Sequence, residues 1–371
     1  MRLAVLPAFA ALALSAACGG ASAKKSVRAN PATLTEATVS YAAELGGLPK
    51  LIAAAKKEGR LCVIGLPTDW ANYGQLMEAF TATYGIAVSQ DQPGASSVEE
   101  IRAARQLRGG AAAPDVFDLD PAVALANTAL LAPYKVTNWG DIPDAIKDAG
   151  GAFAGAYAGF ASIGYDPARV PRPRSVADLL GPRFHGAVAL HGDPRRSGAG
   201  LYGTIMAALD SGGTADDITA GVQFFADLKR AGNASPAAAS TVLPGQSPVV
   251  IDWDYNNVQH ARRSQGSAGW QVVVPKAAVG LYHAQAVNKN APHPAAARLW
   301  AEFVFSDVGQ NLLLRSYVRP ARADAMRRAG TIDRAYWDAL PALHTSPVFL
   351  TPAQVAKATA TIAANWGRLN D

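Results

Sequence analysis

Residues that could bind a charged solute occur where an apolar run of the sequence ends. Asp252, Trp253, Asp254 and Tyr255 directly follow the run Val249–Ile251. Carboxylates beside aromatic rings suit an ammonium group, through ion pairing and cation–π contacts of about 0.5–2 kcal/mol. Side chains alternate along a strand, so the two carboxylates would share one face and the two rings the other. All four can therefore line one cleft only if the strand breaks within the segment.

A second segment repeats this combination of carboxylate and aromatic residues. Asp69 and Trp70, with Asn72 and Tyr73, follow the apolar run Leu61–Gly65. Ligands of open α/β sheets bind at the carboxyl ends of strands, in the loops that lead to helices. The sequence therefore predicts a binding cleft built from several such loops. The remaining candidates for it are Ser96, Ser97, Asp120, Ser197, Gly198 and Tyr282.

A competing charge pattern favours an acidic solute. Arg195 and Arg196 precede Ser197, which we predict to cap a helix that begins at Gly198. Free backbone N–H groups at that end of the helix, together with the arginines, would suit a phosphonate or a carboxylate. A zwitterion would satisfy both loops, so the sequence leaves the amine, the anion and the zwitterion as alternatives.

The sequence lacks the common signatures of catalysis and of metal or cofactor binding. It contains neither G-x-S-x-G nor H-E-x-x-H, and its six histidines and two cysteines show no metal-ligand spacing. Gly198–Gly203 matches G-x-G-x-x-G, but the loop with Pro194 before it is longer than a dinucleotide site requires. We therefore expect no catalytic residue, no metal and no cofactor. The alternative from another class is an exported hydrolase that uses Asp69, Asp118, Asp252 and Asp254.

The composition indicates a globular protein that does not bind nucleic acid. The 371 residues are 50 % hydrophobic and 17 % charged, which is enough for a large core or two linked domains. The net charge of +5 comes largely from basic residues scattered as pairs, such as Lys56-Lys57 and Arg327-Arg328, and not from one basic patch. We expect no nucleic-acid partner.

The N-terminus has the pattern of an export signal. Arg2 precedes an apolar run that is too short for a membrane-spanning helix. We predict a signal peptide at 1–17 and a flexible tether at 18–40. Two endings are possible: lipidation of Cys18, which would be the only membrane contact, or cleavage after Ala23 without a lipid.

Short apolar runs alternate with helical periodicity through the rest of the chain. This alternation predicts an α/β fold with largely parallel sheets, in which Cys62 is buried in the first strand. The predicted strands are Leu61–Gly65, Ile86–Ser89, Asp115–Leu119, Ala187–Leu190, Pro248–Asp252, Gln271–Val274 and His283–Val287. Helical periodicity is clearest over Leu48–Ala55, Tyr73–Tyr84, Ile218–Leu228 and Trp300–Leu313.

Several segments resemble the bacterial extracellular solute-binding proteins that serve iron, polyamine, thiamine and phosphonate transporters. That family has strands with the patterns D-V-x-D and I-G-Y-N-P and a helix that ends in S-x-x-G-Q. This chain has similar segments in the same order. The matching segments are Ala54–Gly65, Asp115–Leu119, Leu130–Tyr134, Ile163–Pro167, Val287–Pro294, Ala297–Ser306 and Asp307–Gln310.

The resemblance implies a type-II periplasmic-binding fold, in which two α/β lobes close around a solute. The lobes would be joined by a hinge of crossing strands near Gly159–Ile163 and Gly280–Gln285. The implied boundaries are 41–157 with 282–334 for lobe one, 158–281 for lobe two and 335–371 for a C-terminal helical tail.

The resemblance also implies a function. The chain would be the periplasmic or extracytoplasmic receptor of an ABC importer, a monomer without enzymatic activity that delivers a small-molecule solute to the permease of the inner membrane. Polyamine-binding relatives combine carboxylates with aromatic rings, so an amine or polyamine is the leading expectation. Iron-binding relatives use an adjacent tyrosine pair that this chain lacks. Tyr255 and Tyr282 could meet in the fold, so ferric iron stays an alternative.

Overall fold

The fold is described by a computed structural model over residues 35–235, 246–263 and 269–370. The predicted signal peptide, Cys18 and most of the predicted tether lie outside these residues. Within the described ranges, no helix combines the length and the apolar character that crossing a membrane requires.

Each predicted strand is present, with ends that shift by a few residues. Leu61–Ile64 is buried on both faces, as a continuous apolar run requires, and Cys62 is only 2 % exposed. The strands of the described chain are β1 (Arg60–Ile64), β2 (Ala87–Asp91), β3 (Val116–Leu119), β4 (Leu131–Ala132), β5 (Ala154–Tyr165), β6 (Val188–Leu190), β7 (Val249–Trp253), β8 (Gln271–Val273), β9 (Val279–Asn288), β10 (Arg319–Pro320) and β11 (Val348–Phe349).

The strands follow one order across the molecule, β2-β1-β3-β9-β5-β7-β6. Parallel pairs join β1 to β2, β1 to β3 and β6 to β7, whereas β5 and β9 are antiparallel to each other and to their other neighbours in this order. The short strands β4 and β11 pair with β9, and β8 and β10 pair with β5. The expected α/β fold is confirmed, with antiparallel strands at its centre.

Strand β5 belongs to both halves of this sheet. It pairs with β9 as far as Phe160 and with β7 from Ala161 onward. All twelve of its residues are buried. It therefore joins a lobe built on β1, β3 and β9 to a lobe built on β6 and β7, and the fold has two lobes.

Helices cover the faces of the sheet and begin close to the predicted positions. One prediction is corrected: the apolar periodicity over Trp300–Leu313 belongs to two helices, because the chain turns at Phe305 and Ser306 caps the second by accepting a hydrogen bond from Gly309 N at 3.1 Å. The α-helices of the described chain are α1 (Leu48–Glu58), α2 (Tyr73–Tyr84), α3 (Ser97–Gln106), α4 (Pro121–Ala126), α5 (Gly198–Asp210), α6 (Thr219–Arg230), α7 (Asp254–Arg263), α8 (Pro294–Val304), α9 (Asp307–Leu314), α10 (Ala323–Ala329), α11 (Arg334–Trp337) and α12 (Pro352–Asn370).

The C-terminal segment contacts both lobes. Strand β11 pairs with β9, and α12 packs on α5 and α6, where the ring of Trp366 lies 5.4 Å from that of Phe225. Between α11 and α12 the chain forms no α-helix, so only the final part of the C-terminal segment is a long helix.

Candidate functional site

The loops that follow β1 and β7 meet beside β5, where this strand passes from one lobe to the other. Trp70 follows β1, and its indole Nε1 donates a hydrogen bond to the hydroxyl of Tyr157 on β5 at 3.0 Å. Tyr255 follows β7 and lies against β5 at Gly159. Four rings from the two lobes gather here, and we call them the aromatic cluster: Trp70, Tyr202, Trp253 and Tyr255.

The aromatic cluster forms because the strand breaks between Trp253 and Asp254. Strand β7 ends at Trp253 and α7 begins at the next residue, so Trp253 and Tyr255 stack at 6.1 Å with their planes 12° apart. Trp70 meets Tyr255 edge-on across the lobes at 5.4 Å. The ring of Tyr202 lies 5.2 Å from that of Trp253. Trp70 is half-buried and the other three are buried, so Trp70 is the ring of the cluster that solvent reaches most.

A buried hydrogen-bond network fixes Trp70 from below. The hydroxyl of Tyr157 accepts from Trp70 and donates to Asp118 Oδ2 at 2.9 Å. Burial and the charge of Asp118 hold the pKa of Tyr157 well above its usual value, so the phenol keeps its proton. The ring of His283 stacks on Tyr157 at 4.9 Å, and its Nδ1 lies 3.6 Å from Asp118 Oδ2. Asp118 thus supports the site without facing it.

Tyr73 does not join the aromatic cluster. Its side chain is fully buried, and its hydroxyl accepts a hydrogen bond from Gln285 Nε2 at 2.8 Å. Gln285 also donates to Asp118 Oδ1 at 2.9 Å. The prediction that Tyr73 lines the cleft with Trp70 is therefore corrected: the first turn of α2 directs it into the core of its lobe.

Asp252 lies near the end of β7, and its charge acts on the hydroxyl of Tyr255 in the aromatic cluster. It is 4 % exposed and accepts hydrogen bonds from Trp253 N at 2.6 Å and from Asn256 Nδ2 at 3.2 Å. His191 follows β6, and its Nδ1 lies 3.3 Å from Asp252 Oδ2. Burial raises the pKa of Asp252 above its usual value, although His191 and the hydrogen bonds act in the opposite direction.

Asp254 has a different environment from Asp252. It is fully buried, and its Oδ2 accepts from Arg319 Nε at 3.0 Å. Its Oδ1 accepts from the backbone N of Phe160 at 2.9 Å and of Tyr255 at 3.0 Å. The predicted role of Asp254 in the cleft is therefore corrected: an internal ion pair neutralises its charge and ties α7 to β5 and β10.

The N-terminus of α5 approaches the aromatic cluster from one side. Ser197 caps the helix as predicted, since its Oγ accepts from Gly200 N at 3.2 Å. Gly198 lies against Trp253, because a Cβ built on it would be 4.0 Å from Trp253 Cζ2. Arg195 does not stand as an isolated cation: its Nη2 lies 2.6 Å from Asp193 Oδ2.

Asp120 and Tyr282 line a narrow recess together with Tyr202. Asp120 caps α4 by accepting a hydrogen bond from Ala122 N at 2.8 Å. Its own backbone N donates to Ser97 Oγ at 2.9 Å. Ser96 is exposed and caps α3. Tyr202 lines this recess and also belongs to the aromatic cluster.

Asp69 and Asn72 border a different groove between the lobes. Three arginines from α7 and the end of α9 line its other wall. Asn72 Nδ2 donates to the backbone oxygen of Leu312 at 2.7 Å, so this side chain holds two elements of one lobe together. The arginines that line the groove are Arg262, Arg263 and Arg315.

The sequence missed His191, Asn256 and His283. His191 directly follows β6, so the rule that selected the loops after strands would have found it. The lack of metal-ligand spacing among the histidines does not bear on this role. Asn256 and His283 carried no signal, since α7 begins unexpectedly at Asp254 and His283 lies within β9.

The profile of one protein family, described as bacterial extracellular solute-binding protein, matches residues 115–339. The sequence matches no protein of curated function.

Solved structures of binding proteins have the same fold. Iron-bound HitA from Pseudomonas aeruginosa is 20% identical, covers 84% of this chain and 99% of its own, and superposes with a TM-score of 0.59. The spermidine/putrescine substrate-binding protein PotD from Streptococcus pneumoniae is 13% identical over 84% of this chain and 99% of its own, with a TM-score of 0.60. The ferric binding protein from Campylobacter jejuni is 16% identical over the same shares, with a TM-score of 0.60. At these identities the likeness concerns the fold.

Proposed function

Because the chain belongs to the family of bacterial extracellular solute-binding proteins, we propose that it is the receptor of an ABC importer for a small amine or zwitterion. The family consists of solute-binding proteins and not of enzymes, and it acts outside the cytoplasm. The partners of such a receptor are the solute and the permease. The single observation that carries the choice of solute is the buried carboxylate of Asp252, which acts on Tyr255 of the aromatic cluster and has only a histidine as its ion-pair partner among the described residues.

The charge of Asp252 is less completely balanced within the protein than that of Asp254. Within the described residues, the ion-pair partner of Asp252 is a histidine, whereas Asp254 has the guanidinium of Arg319. A buried carboxylate needs a positive partner, because removing the charge from water is costly. An ammonium group of the solute would supply it, and the stacked rings of Trp253 and Tyr255 would add cation–π contacts.

A zwitterion would use the neighbouring helix end as well. The free N–H groups at the start of α5 favour negative charge, and Gly198 lies against Trp253. An anion without an amine is less well served, because Arg195 is paired with Asp193. The same two lobes would thus accommodate both ends of an amino acid or a related compound.

Ferric iron fits this environment poorly. Iron favours anionic oxygen ligands such as phenolates. Burial and the charges of Asp252 and Asp254 raise the pKa of Tyr255 well above its usual value, so ionising this phenol is costly. We therefore keep an organic amine ahead of the metal as the solute.

The two lobes we propose comprise 41–157 with 282–334 and 158–281, with 335–371 as a tail. Strand β5 supports this division, because it changes partners between Phe160 and Ala161. The lobes would close on the solute by hinge motion at β5 and β9. We further propose that the receptor is a monomer and that a lipid on Cys18 anchors it to the membrane. Release of a Cys18→Ala variant from the membrane would support the lipid anchor. A Cys18→Ala variant that stays equally membrane-bound would refute it.

The test is a thermal-shift screen of polyamines, amino acids, phosphonates and ferric citrate, because a ligand of the folded state raises the melting temperature by mass action. We expect stabilisation by compounds with an ammonium group. Calorimetry should then show that Trp253→Ala weakens binding about 2- to 30-fold, the equivalent of 0.5–2 kcal/mol. Asp252→Asn should weaken it as well.

The matched control is Trp139→Ala, since Trp139 is half-buried but lies against Lys147 and not in the aromatic cluster. It should leave affinity unchanged. Stabilisation only by anions without an amine, with Asp252→Asn binding normally, would refute the amine reading. Turnover of small esters or glycosides would instead support the hydrolase alternative.

A further inference from the structure

Three potential metal ligands meet on the side of lobe one away from the aromatic cluster. They are Cys62 in the middle of β1, Asp115 just before β3, and His293 just before α8. One ligand atom from each lies within 4.8 Å of the corresponding atoms of the other two. Among the described residues, this is the one group of at least three such side chains with that spacing.

The backbone already holds the three residues in place. Asp115 N donates to Cys62 O at 2.8 Å, and Cys62 N donates to Asp115 Oδ2 at 2.6 Å. The backbone N of His293 donates to Asp115 Oδ1 at 2.8 Å, and its ring Nδ1 lies 2.9 Å from Asp115 Oδ2. Cys62 lies in β1, and Asp115 and His293 directly precede β3 and α8, so these hydrogen bonds hold all three residues next to regular elements.

The spacing is close to that of a tetrahedral site. Bonds of about 2.0–2.3 Å to sulfur, nitrogen and oxygen place the ligand atoms roughly 3.3–3.6 Å apart. The three atoms here lie within 4.8 Å, so side-chain shifts of about 1 Å would complete the geometry. Cys62 is 2 % exposed and Asp115 is buried, whereas the side chain of His293 is 18 % exposed and gives access from solvent.

The donor set selects the type of metal. A thiolate and an imidazole with one carboxylate suit zinc(II) or cobalt(II), whereas calcium and magnesium require oxygen ligands. Two further charged groups act on His293. The carboxylate of Glu58 accepts from Ala295 N at 3.1 Å and Ala296 N at 2.8 Å and adds negative charge, whereas Arg60 adds positive charge.

We propose that Cys62, Asp115 and His293 form a zinc site, with water as the fourth ligand, that links β1, β3 and α8. Binding converts the Cys62 thiol to a thiolate and releases its proton. One nitrogen of the neutral His293 ring takes the metal while the other keeps its proton. The ion is a resident of the protein and not the solute, because Asp115 lies three residues, about 10 Å, along the chain from Asp118 beneath Trp70.

The test uses the full chain with Cys18→Ser, so that Cys62 is its one cysteine. After chelator treatment and addition of equimolar zinc, native mass spectrometry at neutral pH should show one zinc per chain. Cobalt(II) in place of zinc should give a thiolate-to-cobalt charge-transfer band. Cys62→Ala and His293→Asn should lose at least tenfold in zinc affinity, and Cys62→Ala should abolish the band.

His344→Asn is the matched control, because His344 is exposed and outside the group. It should retain the zinc and the band. A readout that needs no variant at Cys62 or His293 is the reaction of Cys62 with a thiol reagent, which zinc should slow at least tenfold. The proposal is overturned if no zinc is retained, if the cobalt band persists in Cys62→Ala, or if zinc leaves the thiol reaction unchanged. Solute binding by Cys62→Ala is expected to be normal, so the receptor function and the zinc site can fail independently.

Discussion

Replacing Gly159 by alanine tests how β5 supports the aromatic cluster. A Cβ at this position would lie 2.3 Å from Cε1 and 2.7 Å from Cδ1 of Tyr255. Carbon atoms in contact are separated by about 3.5–4.0 Å, so the Tyr255 ring would have to move by more than about 1 Å. Overpacking of this kind typically costs about 1–3 kcal/mol. The displaced ring would also disturb its edge contact with Trp70, so solute affinity should fall together with stability.

The assay is urea unfolding of Gly159→Ala beside Gly94→Ala, where an added Cβ meets no atom within 4 Å. We expect a loss of about 1–3 kcal/mol for Gly159→Ala and a change within about 0.5 kcal/mol for the control. In a Tyr255→Ala background the Gly159→Ala loss should shrink, with a coupling energy of about 0.5–3 kcal/mol. An equal loss with and without the Tyr255 ring would refute the steric reasoning.

Three further substitutions test other contacts. Asp254→Asn leaves Arg319 buried without its partner charge, so urea unfolding should show that the free energy of unfolding falls by about 3–5 kcal/mol. Calorimetry should find solute affinity unchanged. A weaker affinity with normal stability would contradict this prediction. Burial and the charge of Asp118 raise the pKa of Glu100, so its contribution to stability is present below its unfolded-state pKa and is lost as pH rises through its folded-state pKa. Melting temperatures should therefore fall less between pH 5 and pH 8 in Glu100→Gln than in the native chain, and parallel curves would contradict the assignment. Ser96→Ala removes the capping box that Ser96 forms with Glu99, which should lower stability by about 0.5–2 kcal/mol in thermal unfolding, and an unchanged melting temperature would show that this cap contributes little.

The residue pattern predicted the strands that consist of β-branched runs, whereas the strand that organises the fold was expected, near Gly159–Ile163, only from the family resemblance. Strand β5 has the sequence AGAYAGFASIGY, in which alanine and glycine predominate. These residues have low strand propensity, and both faces of β5 are buried, so no alternation marks it. Gly159 is required because Tyr255 occupies the space where a Cβ would be. That requirement arises from tertiary packing, and no local pattern reveals it.

The candidate site was predictable in its loops but not in its individual side chains. Asp252 and Asp254 are alike in the sequence, and Arg319 alone makes them different by pairing with Asp254 from far along the chain. Tyr73 lies in the segment after β1, as predicted, yet the geometry of the first turn of α2 buries its side chain. The group of Cys62, Asp115 and His293 depends on the register of β1 and β3 and on the start of α8, so spacing along the chain could not show it.

The position of β9 governs when lobe one can be completed during synthesis. This strand lies between β3 and β5 in the sheet, but it follows β6, β7 and β8 in the chain. Until Asn288 has been made, β3 and the first part of β5 therefore lack the neighbour that joins them. Pairing at such long separation along the chain slows folding, and an incomplete sheet leaves strand edges unpaired. We therefore expect the sheet of lobe one to be completed only after β9 has left the ribosome.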